Sequence, residues 1–201
     1  MARKKKPKAI LSLVLITVLL ISGVWVAQKS LDDNTISYSG SGEINDEDKN
    51  ISAKKMIEDY ANENGYTSDD YPQSLVDMLE RNKETKEFVL NYPKYKDKDF
   101  KINMKEYKNC TSVPLFMQWD IRWGYKIYGD DVAGLTACGP TCLSMVAVYL
   151  LQDTKYSPDY MIDWADKNGY CVDGGGSLWT LMSEGAEKLG IDSTELPLDK
   201  Q

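Results

Sequence analysis

The sequence predicts a mostly helical chain that carries a membrane-spanning helix near its amino terminus. Residues 9–27 form an almost wholly apolar run without a charge, and at ~1.5 Å rise per residue this run is just long enough to cross a bilayer core. Apolar residues recur at helical spacing over 56–61 and again over 75–79, which is typical of amphipathic helices. A further apolar stretch over 142–151 follows Pro140, and this pattern indicates a buried helix with proline in its first turn.

Composition limits the class of protein. The chain has 201 residues, of which 42% are hydrophobic and 27% charged, as expected for one globular domain with additional segments. Its net charge is −7, but the first eight residues hold five positive charges, so the remainder carries −12. Because phosphate binding requires a basic face, the acidic body argues against nucleic acid as a partner.

The amino-terminal residues predict a single-pass protein of the cell membrane. Residues 1–8 form a basic cytoplasmic tail, residues 9–27 form a signal anchor, and the positive-inside bias leaves the main domain extracytoplasmic. The alternative is a signal peptide, whose cleavage would give a secreted protein. The apolar run is longer than a usual signal core, and cleavage after Ala27 would place bulky Trp25 where a small residue is preferred, so we favour the anchor.

The segments after the anchor differ in composition. Residues 28–50 are polar, with almost nothing apolar to bury, and are predicted to be a disordered linker. Residues 51–104 are predicted to be a helical leader that ends in a charged connector. Its third helix is expected from Glu84 to Tyr92, where Pro93 would stop it.

Residues 105–201 are predicted to form the main domain. The short apolar segment 112–118 could be a strand or an extended segment. Besides the buried helix after Pro140, we expect a helix that Ser157 caps and another that Ser177 caps, the latter ending at Gly190.

Cys138 is the candidate nucleophile. It comes immediately before the predicted start of the buried helix, where free backbone N–H groups and the helix dipole favour a thiolate over a thiol. Gly139 follows it and would allow a substrate carbonyl to approach the backbone closely. Acyl transfer also needs donors for the tetrahedral oxyanion, and the amide of Gln118 is a plausible donor.

These residues belong to a wider pattern. The segments Val113-Pro114, Gln118-Trp119-Asp120, Arg122-Trp123-Gly124, Tyr128-Gly129 and Ala137-Cys138-Gly139-Pro140-Thr141 resemble the signature of the C39-like peptidases, and the helical stretch 72–93 resembles the leader of their exported Gram-positive members. The resemblance implies an α+β, papain-like cysteine peptidase fold, of which mainly the helical half is present here. It also implies that Cys138 is the catalytic nucleophile, that Gln118 is the oxyanion-hole residue, and that no metal or organic cofactor is needed.

One departure from this family is large. Its members carry the catalytic histidine and an Asp or Asn partner further along the chain, whereas this sequence contains zero histidines. Without an imidazole, the thiol lacks its general base and the leaving amine its acid, each typically worth ~10²–10⁴-fold. We therefore expect residues 105–201 to be an incomplete peptidase domain, either a fragment that ends before the histidine or a diverged, inactive form.

The remaining candidates have simpler interpretations. Cys142 is expected to be a small core residue. Cys110 and Cys171 could pair in a disulfide, although their spacing does not require it. Asp120 is expected to be an exposed turn or cap residue. The aromatic residues of the signature are expected to pack around the nucleophile helix, with one wall of a peptide groove as the alternative; they are Trp119, Trp123, Tyr125 and Tyr128.

The sequence thus predicts a cysteine peptidase-like protein that would hydrolyse peptide or amide bonds of a peptide or protein substrate, inactive as it stands. The alternative is a non-catalytic extracytoplasmic or cell-surface protein that binds peptides on the same fold.

Overall fold

The structure, a computed structural model, describes residues 51–196. This part of the chain is a mostly helical α+β structure with two small antiparallel sheets. The helices are α1 (Ala53–Asn64), α2 (Gln73–Arg81), α3 (Lys86–Leu90), α4 (Tyr92–Tyr95), α5 (Ala133–Thr136), α6 (Cys138–Leu151), α7 (Pro158–Lys167) and α8 (Glu184–Lys188). The strands are β1 (Ile127–Tyr128), β2 (Asp131–Val132), β3 (Cys171–Val172) and β4 (Gly176–Ser177), with β1 paired to β2 and β3 to β4.

The first two helices follow the predicted apolar pattern. The side chain of Ser52 accepts a hydrogen bond from the Lys55 N–H at the start of α1, and Gly65 ends that helix in the left-handed conformation at φ 77°, which glycine adopts without steric cost. Ile57 of α1 and Leu75 of α2 are buried. Burial of one apolar stripe on each helix stabilises this pair.

The third predicted helix, Glu84 to Tyr92, is wrong in its bounds. The chain forms a 3₁₀ turn over Lys83–Thr85, then α3, and a separate short helix α4 with Pro93 in its first turn. A proline in the first turn of a helix loses no backbone hydrogen bond, because the N–H there has no helical acceptor. Pro93 therefore begins a helix where it was expected to stop one.

The core of residues 105–196 lies between α6 and α7. Leu143 and Val148 of α6 are fully buried, as are Met161 and Ile162 of α7. Ser157 caps α7 by accepting from the Tyr160 N–H at 3.3 Å, as the sequence predicts. Burial of these side chains fixes α6 along its length.

Of the two alternatives for residues 112–118, the structure shows the extended segment and not the strand. This segment is extended but has no strand partner among the described residues, and a strand exists only where a neighbour completes its hydrogen bonds. Ser177 also does not cap a helix: it lies in β4, followed by a 3₁₀ turn over Trp179–Leu181 and then by α8.

The predicted fold class needs correction. We expected mainly the helical half of a papain-like α+β fold, preceded by a membrane-spanning helix and a helical leader. Residues 51–196 are mostly helical, and their strands are two-residue segments in two hairpins. None of the helices in this range is long and apolar enough to cross a membrane. The expected single-pass membrane location is therefore not supported by any helix of residues 51–196. The tail 1–8, the anchor 9–27 and the linker 28–50 lie outside the described residues.

The two segments predicted as leader and main domain pack on each other. Phe88 of α3 stacks on Tyr125 with ring centroids 4.4 Å apart and an interplanar angle of 10°. The Tyr125 hydroxyl donates to the Phe88 carbonyl oxygen at 2.7 Å. The helical segment 53–95 is therefore in direct contact with the part of the chain that carries Gln118 and Cys138.

Candidate functional site

Cys138 is the first residue of α6, and its side chain is an exposed, free thiol. The first N–H groups of a helix have no helical carbonyl to bind, so the N–H groups of Cys138 and Gly139 are available at this end of α6. The next turn is held firmly, because the Thr141 hydroxyl donates to the Ala137 carbonyl oxygen at 2.8 Å. An accessible sulfur therefore sits on a fixed helix end that can donate hydrogen bonds to an anion.

Gln118 lies against the turn that leads into Cys138. Its side-chain Nε2 donates to the Ala133 carbonyl oxygen at 3.0 Å, and the same oxygen accepts from the Ala137 N–H at 2.9 Å. Because an amide nitrogen carries two hydrogens, one N–H remains after this bond is made. The structure thus ties both predicted site residues to one short stretch, 133–138.

Gly139 has a structural role that the sequence did not predict. A Cβ at this position would lie 2.8 Å from Ser177 Oγ and 3.0 Å from Leu181 Cδ2. The glycine is required because Ser177 of β4 and Leu181 of the turn that follows pack directly on the first turn of α6. Ser177 is itself bound to the buried Tyr128, with 2.8 Å between the two hydroxyl oxygens.

Cys142 is exposed on the helix that carries Cys138, so its predicted place in the core is wrong. The sulfur of Cys142 is still partly shielded from water by its neighbours. This partial desolvation, together with the nearby Cys138 thiol, raises the pKa of the Cys142 thiol. Residues four apart share one face of a helix. The unburied face of α6 therefore presents two thiols.

Cys110 and Cys171 are partly buried free thiols, so the possible disulfide between them is not formed in this structure. Burial and the nearby carboxylates raise the pKa of the Cys171 thiol. No group of three or more His, Cys, Asp or Glu side chains between residues 51 and 196 is arranged to hold a metal ion.

Asp120 is not the exposed turn residue that was expected. It is 2% exposed, and its carboxylate accepts from Nε of Arg122 at 3.0 Å and from the second guanidinium nitrogen at 2.7 Å. Buried charges in proteins are paired in this way. The ion pair stabilises the turn that begins at Gln118.

The aromatic residues of the signature mostly pack inside the protein. Trp123, Tyr125 and Tyr128 are buried, which agrees with the packing interpretation. The most exposed of the large hydrophobic side chains in residues 51–196 is Trp179, whose exposure the sequence did not predict: it is 91% exposed, and Leu178 and Met182 beside it are also exposed. A tryptophan just outside the triple glycine 174–176 was the one signal available for it.

Comparison with protein-family models, curated proteins and solved structures finds no match to this chain.

Proposed function

We propose that the chain is a cysteine peptidase-like protein in which Cys138 attacks the carbonyl of a peptide or related amide. The observation that carries this proposal is an exposed thiol at the first position of a long helix, with the Gln118 amide held against the turn before it. The resemblance of the surrounding residues to the C39-like peptidases supports it as well.

The roles of the groups follow from the chemistry of acyl transfer. The Cys138 sulfur would bond to the carbonyl carbon, and the oxyanion would take hydrogen bonds from the Cys138 backbone N–H and the free N–H of Gln118. Collapse of this intermediate would break the C–N bond, transfer the thiol proton to the leaving amine and leave a thioester on Cys138. Water would then hydrolyse the thioester and release a carboxylic acid.

Proton transfer is the weak step in these 201 residues, because none of them is histidine. A positioned acid or base typically contributes ~10²–10⁴-fold, so the chain by itself would acylate slowly, and an amide would react far more slowly than an activated ester. Added imidazole would supply the missing base from solution.

Acylation of the full chain by p-nitrophenyl acetate, followed by peptide mass mapping, tests the proposal. We expect the thioester on Cys138, faster acylation with added imidazole, and a loss of about 10²-fold in rate for Gln118→Ala because one oxyanion donor is removed. Cys142→Ser is the matched control, since it removes an exposed thiol of the same helix, and it should leave acylation at Cys138 unchanged. Equal labelling of both thiols, or no effect of Gln118→Ala, would refute the assignment.

A second candidate, a non-catalytic peptide-binding protein, is favoured by Trp179. An exposed tryptophan beside Leu178 and Met182 is typical of a binding surface. These residues directly follow Ser177, which lies against Gly139 at the start of α6. Peptide titration monitored by tryptophan fluorescence would distinguish the two functions. Saturable binding without any acylation of Cys138 would favour the binding protein.

A further inference from the structure

We infer that Phe88 is a positioning residue for Gln118, so that the helices before residue 95 form part of the construction of the proposed site. This inference rests on the proposed function, because it concerns the residue assigned to the oxyanion. It would explain why the helical segment 53–95 is attached to a chain whose chemistry lies after residue 117.

The Phe88 ring occupies a space beside two glycines. A Cβ on Gly124 would lie 2.7 Å from Phe88 Cε2, and a Cβ on Gly134 would lie 2.6 Å from Phe88 Cζ. Distances this short are not tolerated between carbon atoms. The fully buried ring thus fills the space that two glycines leave open, and stacking on Tyr125 fixes its plane.

The two glycines belong to the same segment of the chain as Gln118. Residues 117–134, here named the Gln118 loop, are closed by a 2.8 Å hydrogen bond from the Gly134 N–H to the Gly124 carbonyl oxygen. A Cβ on Gly124 would also lie 3.2 Å from the Gln118 carbonyl oxygen. The Phe88 ring and the Gln118 carbonyl oxygen therefore border the same space beside Gly124.

The acceptor that holds the Gln118 side chain also lies beside one of these glycines. Its amide donates to the carbonyl oxygen of Ala133, the residue immediately before Gly134. Both the backbone and the amide anchor of Gln118 thus lie next to glycines that Phe88 covers. If the ring were removed, the two parts of the loop would lose their common support, and the amide would no longer be held in one position.

The test separates positioning from simple stability. A peptide aldehyde adds to a thiol and forms a hemithioacetal whose oxyanion needs Gln118, whereas iodoacetamide alkylates the same sulfur by displacement and forms no oxyanion. Both reactions would be measured at Cys138 of the full chain carrying Cys142→Ser, at a temperature where every variant is folded by circular dichroism.

We expect Phe88→Ala to weaken aldehyde binding by about 10- to 100-fold, as a displacement of ~1 Å in a catalytic group can, while iodoacetamide alkylation stays within about twofold of the unsubstituted rate. Phe88→Leu should give a smaller loss, and it keeps the test usable if the alanine variant does not fold. Leu79→Ala is the matched control: Leu79 is equally buried but lies in α2, so its substitution should lower stability without changing the ratio of the two reactions.

The outcomes distinguish the two levels of the proposal. If Gln118→Ala weakens aldehyde binding but both Phe88 variants leave it unchanged, this inference is overturned and the proposed function stands. If Gln118→Ala itself has no effect, the oxyanion role is wrong and the inference falls with it. A loss for Leu79→Ala as large as that for Phe88→Ala would also overturn the inference, because stability alone would then account for the effect.

Discussion

Two segments flank the amino-terminal end of α6, the Gln118 loop (residues 117–134) and the Trp179 turn (residues 177–182). The Gln118 loop holds Asp120, Trp123 and Tyr128, each buried and each hydrogen-bonded. The Trp179 turn is anchored by the fully buried Leu181 but presents Trp179 almost entirely to solvent. The first segment is thus built to hold a side chain in place, and the second to leave one available for contact.

This difference separates residues that serve stability from residues that serve recognition. In the Gln118 loop, substitution of Asp120, Trp123 or Tyr128 should change the free energy of unfolding, because these side chains are buried and their polar groups are hydrogen-bonded. In the Trp179 turn, loss of an exposed side chain removes almost no buried area. The following predictions test that contrast, beginning with the largest expected effect.

The largest effect is expected for Asp120→Ala. This change leaves the 8% exposed Arg122 without its carboxylate, and removing one partner of a buried ion pair costs about 3–5 kcal/mol. Urea denaturation would measure the loss. Asp159→Ala is the control, because Asp159 pairs with the more exposed Lys126, which also contacts Asp163; it should cost less than about 1 kcal/mol. Equal losses would show that the Gln118 loop is not specially dependent on its ion pair.

We expect the free energy of unfolding to depend on pH through Tyr128. Burial raises the pKa of Tyr128 to about 12 from its usual value of 10.0, so between these values the folded chain holds a proton that the unfolded chain has released. Stability is therefore retained below pH ~10 and falls as the pH rises to about 12, by at most about 3 kcal/mol from this group.

Unfolding curves of the native chain and Tyr128→Phe over this pH range would check the prediction. The variant should lose less stability with rising pH, because phenylalanine does not ionise. Parallel curves for the two proteins would contradict the assignment. The hydrogen bond between the Tyr128 and Ser177 hydroxyls joins the Gln118 loop to the Trp179 turn. Tyr128→Phe removes this bond, so the variant also tests the connection between the two segments.

Gly134→Ala should have an intermediate effect. Its Cβ would lie 2.6 Å from the Phe88 ring, and overpacking of this kind costs about 1–3 kcal/mol. Thermal unfolding would detect it. Gly175→Ala is the control, since that Cβ would lie 3.3 Å from the Val172 side chain and should change stability by less than about 0.5 kcal/mol. A neutral Gly134→Ala would mean that Phe88 can move, which would weaken its role as a positioning residue.

Trp179→Ala should have the smallest effect on folding, within about 0.5 kcal/mol, because the side chain is 91% exposed. Its effect should appear in peptide binding, where loss of a tryptophan contact costs about 2 kcal/mol or more. Isothermal titration with a peptide that saturates the native chain would measure this. Ile51→Ala, which removes an exposed apolar side chain before α1, is the control and should leave binding unchanged. A clear loss of stability in Trp179→Ala would instead mean that this turn belongs to the fold.

Much of the helical structure could be predicted because it follows from local rules. The start of α6 near Pro140 and the cap at Ser157 depend on proline and serine acting within a few residues of themselves. Pro93 was misread because proline suits both the end of one helix and the first turn of the next. The four short strands were not predicted, because pairing depends on a partner strand as well as on the residues of the strand itself.

The main helices, the acidic charge, the absence of histidine from these 201 residues and the position of Cys138 at the start of a helix all follow from the amino-acid order, since each depends on composition or on neighbours along the chain. Only the tertiary structure decided that Asp120 is buried against Arg122, that Gly139 makes room for Ser177, and that Cys142 and Trp179 are exposed. Burial is set by contacts between residues far apart in sequence, and those contacts exist only once the helices and loops have packed together.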